Sequence, residues 1–193
     1  MASQFSPLSD EELVQKTQQD IDAFGEIIDR YEQKLFRYIA RISHFSQEET
    51  EELLQEIFVK AWQNLKDFDG TQKFSSWVYR IAHNHTISEY RKQTSRGSDK
   101  RIEWDDELLG NLPDNIDLPR NTNNTLNKTE IGHILDSLPE KFKTPLILRF
   151  LEEKSYEEIS DILRVPLGTA ATLVSRAKKE FANNAKEKNI SFF

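Results

Sequence analysis

Apolar side chains recur every three or four residues along almost the whole of this chain, and the repetition fails in one long stretch only. That spacing places the apolar side chains on one face of a helix, and short alternating runs of the strand type are nearly absent. The chain is therefore expected to be all-α. The failure falls between Ser95 and Asn127, where Gly97, Gly110, Pro113, Pro119 and the run "NTNNT" stand among Glu103, Asp105, Asp106, Glu107, Asp114 and Asp117. Such a composition cannot bury enough apolar surface to hold a fold, so it is expected to be a linker. Trp104, Leu108 and Leu109 are its apolar exceptions and candidates for docking on a folded part. Two small helical domains are expected, at 1–95 and 128–193, joined by a polar, acidic linker at 96–127.

The first block opens with "LSDEEL", in which Ser9 and Glu12 form a capping box. Ile21, Phe24, Ile27, Ile28, Tyr31, Leu35, Phe36 and Ile39 then keep a stripe, and "HFSQEETEE" interrupts it. A second stripe follows through Leu53, Leu54, Ile57, Phe58, Ala61, Trp62 and Leu65, ended by "DFDG" at Gly70. A third carries Phe74, Trp77, Val78, Ile81 and Ile87. In the second block a short helix bears Ile131, Ile134, Leu135 and Leu138 and ends at Pro139. The next contains Pro145, which predicts a bend or a late start because proline has no N–H to give the preceding turn.

The last part of the chain reads as a helix-turn-helix. Ser155 and Glu158 form another capping box, Tyr156, Ile159, Ile162 and Leu163 face inward, and "RVPLG" makes the turn. In the second helix Ala170, Val174, Ala177 and Phe181 form the packing stripe. Ala171, Thr172, Ser175, Arg176 and Lys179 face outward, with Thr169 and Lys178 at the margins. The second helix of such a motif lies in the major groove of DNA. Arg176 and Lys179 can hold phosphates, while Thr172 and Ser175 discriminate between bases poorly.

The net charge of −7 disfavours coating of nucleic acid by bulk charge, but local basic patches decide that question. The chain has no cysteine, so disulfides and thiolate metal sites are excluded. His83 and His85 lie two apart, which points them in different directions on a helix, and His44 and His133 are isolated. No zinc site and no cofactor are expected. No nucleotide loop or nucleophile constellation appears, so an enzyme is not expected. The start of the chain lacks a signal pattern and no run could span a bilayer, so the expectation is a cytoplasmic protein without membrane insertion.

The arrangement "LPEKFKTPLILRFLEEKSYEEISDILRVPLGTAATLVSRAKKEF" resembles the promoter-binding C-terminal domain of bacterial extracytoplasmic-function (ECF) sigma factors. "EELLQEIFVKAWQNLKDFDG" is similar to the core-polymerase-binding helix of that family, and "FSSWVYRIAHNHTISEYRKQTSR" to its promoter-melting segment. The three stand in the family's order with the variable linker between them. The resemblance implies a specificity subunit that binds core RNA polymerase and directs it to promoter DNA, commonly restrained by an anti-sigma factor. It implies core contacts at Glu52, Gln55, Glu56 and Lys60. It implies downstream-element contacts at Lys73, Arg80, Asn84, Ser88, Arg91 and Lys92, with the loop "FDGTQKF" helping to capture an unstacked base. Upstream-element contacts would come from Thr169, Ala171, Thr172, Ser175, Arg176, Lys178 and Lys179. The acidic linker would imitate a phosphate chain in polymerase channels, or serve as a solubilising tether.

Several positions depart from the family pattern. Glu52 stands where aspartate is frequent, Ala171 where a basic residue is common, Leu173 where arginine is common, and Arg164 where glycine is common in the turn. Arg164 predicts strain or a different turn. The lost cations predict weak DNA binding by the last helix alone, offset by tethering through polymerase, with sequence choice leaning on DNA shape and the first block. Two other functions remain open from the residues: a helix-turn-helix regulator that binds its operator unaided, and a polymerase-binding adaptor or decoy that reads no DNA.

Overall fold

The computed structural model describes residues 4–95 and 128–188 and divides the chain into two compact units, Met1–Lys100 and Arg101–Phe193. The expected linker, with Trp104, Leu108 and Leu109, lies outside the described residues. Within the described residues the ordered elements are helices, as the apolar spacing predicts, and none is long and apolar enough to cross a membrane.

In unit 1, helix α1 spans Asp10–Thr17 and begins at the Ser9/Glu12 capping box, both halves of which are made. Helix α2, Asp22–Ser43, follows. Its end is set by His44, which takes a left-handed conformation (φ 61°) with its N–H bonded to the Ala40 carbonyl. Helix α3, Gln47–Gln63, starts earlier than its apolar stripe suggests, because Ser46 and Glu49 form a further capping box inside "HFSQEETEE". A short 3₁₀ turn at Leu65–Asp67 leads to Gly70 (φ 75°), where a positive φ favours glycine, and then to helix α4, Phe74–Ser95.

Helix α2 packs against α1, α3 and α4, and α3 also packs on α4. Leu13, Ile27, Leu35, Ile39, Ile57, Phe74 and Val78 are fully buried among them. An aromatic cluster ties the loop before α4 to this core: Phe68, Phe74 and Trp77 stand 5.5–5.7 Å apart, and Tyr31 meets Phe74 edge-on at 5.7 Å. Two members of the expected stripes stay outside. Ile21 is 66% exposed because it precedes the first turn of α2, and Trp62 is 39% exposed at the last turn of α3, where its ring meets Phe24 edge-on at 5.0 Å.

Unit 2 contains α5 (Lys128–Asp136), α6 (Glu140–Leu146), a π-helical turn at Ile147–Leu151, α7 (Tyr156–Leu163) and α8 (Leu167–Glu187). Pro145 lies inside α6, so that helix starts before it, and the wider turn follows directly. Helix α8 is the hub, packing on α5, α6 and α7. Its stripe of Ala170, Val174, Ala177 and Phe181 is buried as the spacing predicts, and Ala185 extends it by one turn. Lys143, almost fully buried, pairs with Asp136 at 2.9 Å and fixes α6 to α5. Burial pulls the Lys143 ammonium below the usual lysine range, and the Asp136 carboxylate opposes that pull. Asn184 donates to Ser137 Oγ at 2.8 Å and Lys188 to the His133 carbonyl at 2.9 Å, holding the far end of α8.

Candidate functional site

Burial of Leu53, Leu54, Ile57, Phe58 and Ala61 fixes which side of α3 is free. The free side carries Glu52, Gln55, Glu56, Val59, Lys60 and Gln63, all exposed, and these six line one open surface depression. Val59, 54% exposed, gives this otherwise polar surface an apolar centre. The sequence signal for it was simple: Val59 falls off the α3 stripe. Glu56 is held from the neighbouring helix, its Oε2 lying 2.6 Å from His85 Nε2. His85 is mostly buried on its side-chain atoms and Glu56 mostly exposed, so the pair presents a carboxylate from a fixed base. A polar ring around an apolar centre suits a protein partner of opposite charge, where complementarity governs orientation and association rate.

Helix α4 presents a different surface. Arg80, Asn84, Ser88 and Arg91 succeed one another at helical spacing; the last three are exposed and Arg80 is half-buried. Lys73 is exposed just before the helix. Lys92 is exposed and paired with Glu89 at 2.6 Å. The loop leading in is built rather than loose. The Asp69 carboxylate accepts from the Thr71 N–H at 2.9 Å and from Thr71 Oγ1 at 2.7 Å, bonds that hold its pKa below the usual carboxylate range. Arg80 donates to Gln72 Oε1 at 2.9 Å, and Glu11 of α1 accepts the Phe74 N–H at 3.0 Å, satisfying an otherwise open donor of the first turn. Cations flanking amide and hydroxyl groups on a positioned loop and helix can meet the phosphates of a nucleic-acid strand.

His83 faces the other way from His85, as their spacing predicts, and is more enclosed than a surface residue. The Tyr38 hydroxyl stands 3.1 Å from its Nδ1, donating to it in the Nε2–H tautomer. Burial, with a smaller push from the Arg91 charge, lowers its pKa to about 4.

In unit 2 the Ser155/Glu158 capping box starts α7, and Arg164 ends it in a left-handed conformation (φ 53°, ψ 48°). A side chain in that region costs about 1 kcal/mol. Ser160 supports the turn: its hydroxyl donates to the Val165 carbonyl at 2.6 Å and its own carbonyl accepts the Val165 N–H at 3.1 Å. Tyr156, expected inward, is 38% exposed beneath the Arg149 guanidinium at 5.2 Å. On α8, Thr169, Thr172, Ser175, Arg176 and Lys179 are exposed. Ala171 and Leu173 are half-buried, and Lys178 is half-buried with its ammonium 5.7 Å from the centre of the Phe150 ring. Leu167, read from sequence as part of the turn, is the first residue of α8 and is 47% exposed.

The family model for Sigma-70 region 2 matches residues 27–96, and that for Sigma-70, region 4 matches residues 128–181. The chain is 30% identical to the ECF RNA polymerase sigma factor SigW of Bacillus subtilis, covering 87% of this chain and 91% of that protein. It is 32% identical to the ECF RNA polymerase sigma-E factor of Haemophilus influenzae, covering 91% and 95%. This chain belongs to the extracytoplasmic-function RNA polymerase sigma factors, and it is not an enzyme. Its fold is shared with the sigma factor RpoE in its co-crystal structure with the anti-sigma factor NepR from Bartonella quintana (TM-score 0.64, 21% identity, 84% and 96% of the two chains). It is also shared with CnrH in complex with the cytosolic domain of CnrY (TM-score 0.67, 20% identity, 92% and 97%).

Proposed function

We propose that this sigma factor binds core RNA polymerase through the exposed side of α3 and holds melted promoter DNA on α4, while α8 docks on the upstream element. Residues 1–95 and 128–193 act as the two functional domains, and 96–127 as the connection between them. Glu52, Gln55, Glu56 and Lys60 meet the polymerase. Lys73, Arg80, Arg91 and Lys92 hold phosphates of the opened strand, and Asn84 and Ser88 contact its bases. Thr169, Ala171, Thr172, Ser175, Arg176, Lys178 and Lys179 face the upstream duplex. The protein works in the cytoplasm, where its template is, and a protein anti-sigma factor restrains it, as the two solved relatives with bound partners suggest for this fold.

The observation that supports this reading is the Glu56–His85 contact, 2.6 Å long, which joins α3 to α4. On this reading, docking of α3 on polymerase carries α4 with it to the opened strand. Titration of fluorescently labelled protein with purified core RNA polymerase tests it. Tight one-to-one binding is expected, weakened at least about tenfold by Glu52→Lys with Gln55→Ala, since reversed charge opposes a basic partner surface. Binding unaffected by both substitutions overturns the assignment of α3, and absence of core binding overturns the function.

A further inference from the structure

The N-terminal residues of a recognition helix are the ones that reach base edges. On the first nine residues of α8, Leu167 to Ser175, there is no arginine, lysine, asparagine, glutamine or carboxylate. The bidentate partners that read guanine or adenine are absent from those turns. Three features make the row from Leu167 to Thr172 apolar, beside the exposed hydroxyls of Thr169 and Ser175. Leu167 is 47% exposed, Ala171 stands one turn further along the same row, and the exposed Thr172 has its hydroxyl committed to the Gly168 carbonyl at 2.7 Å. Thr172 thereby offers its methyl, with no proton left to donate to a base. Gly168 lies between them, and a Cβ there would meet nothing within 4 Å, so no internal packing requires glycine at that position. A missing side chain on the outer surface shortens the distance at which backbone can approach a partner.

In the major groove the one apolar feature of a base pair is the thymine C5-methyl group. We infer that Leu167, Ala171 and Thr172 read thymine methyl groups in the upstream promoter element, making α8 a methyl reader positioned by the phosphate contacts of Arg176 and Lys179. This rests on the proposal that α8 docks on promoter DNA. The nearest cations, Arg176 and Lys179, lie further along the helix.

The test uses holoenzyme assembled with core RNA polymerase. Promoters are first selected by transcription from a random library, and the selected upstream element is then synthesised with deoxyuridine replacing each thymidine in turn, which removes the methyl alone. At one thymidine or more, the replacement is expected to weaken holoenzyme binding about fourfold, the effect of burying one methyl-sized group. Holoenzymes carrying Leu167→Ala or Thr172→Ser should lose that sensitivity while keeping native thermal stability. Gly168→Ala should weaken binding without lowering stability. A selected element with no thymine on either strand overturns the methyl reading, as does equal response to deoxyuridine by native and variant proteins. If start sites are indifferent to upstream sequence and to Arg176→Ala with Lys179→Ala, the docking of α8 itself falls. If they depend on both of these but not on the methyl, docking stands and the methyl reading falls.

Discussion

Helices α4 and α8, the two we propose to face nucleic acid, carry opposite equipment. Helix α4 carries Arg80, Asn84, Ser88, Arg91 and Lys92 on a helix whose entry is fixed by Asp69, Thr71, Gln72 and Glu11. Helix α8 begins with leucine, glycine, threonine and alanine and reaches its first cation at Arg176. On our proposal the first surface holds an opened strand through cations, amide and hydroxyl, and the second touches a closed duplex lightly. The difference teaches that affinity in such a protein need not reside where sequence is read. A weak reader suffices when a partner supplies effective concentration through a tether.

The two units also differ in how they are held together, and this gives the largest effect. Phe181 is 4% exposed and packs α8 into unit 2. Phe181→Ala should cost unit 2 about 3–5 kcal/mol and leave unit 1 intact, seen as one displaced and one unchanged transition in thermal unfolding. Equal displacement of both would show that the units do not unfold separately. Next comes pH. His83, with its pKa lowered to about 4, refuses in the fold a proton that the unfolded chain accepts. The stability of unit 1 should therefore fall as pH drops from about 6.5 towards about 4, by about 3 kcal/mol in all, measurable by urea unfolding across that range. Among the described residues unit 2 has no enclosed histidine, since His133 is exposed.

Restoring cations to α8 should blur the contrast between the two helices. Ala171→Lys with Leu173→Arg should tighten promoter binding at low salt and steepen the dependence of log affinity on log salt by about two units. Unchanged holoenzyme affinity at several salt concentrations would show that the outward side of α8 is misassigned. The smallest effect is local. Arg164→Gly should stabilise unit 2 by about 1 kcal/mol, because glycine enters the left-handed region freely, and circular dichroism melting checks it.

The helical class, the division into two blocks and the buried stripe of α8 were legible because each depends on local spacing, which the chain states outright. The capping boxes at Ser9 and Ser155 were legible for the same reason. The start of α3 was not, because its Ser46/Glu49 box sits in a polar run without apolar periodicity. The pairing of Glu56 with His85, and of Glu11 with the Phe74 N–H, joins residues 29 and 63 positions apart, which no local pattern encodes. Leu167 was hidden by its place beside Pro166: a residue read as turn is the first of the helix, and its exposure follows from having no preceding turn to cover it.

The claim that α8 depends on its tether is tested most directly by titrating one promoter duplex with the free protein and with its complex with core RNA polymerase at the same salt concentration. The account predicts that the free protein binds the upstream element only in the non-specific range, about 10⁻⁴–10⁻⁶ M, while the complex protects it at far lower concentration. Equal, tight and sequence-specific binding by the free protein would contradict it and establish a regulator that reads its operator unaided.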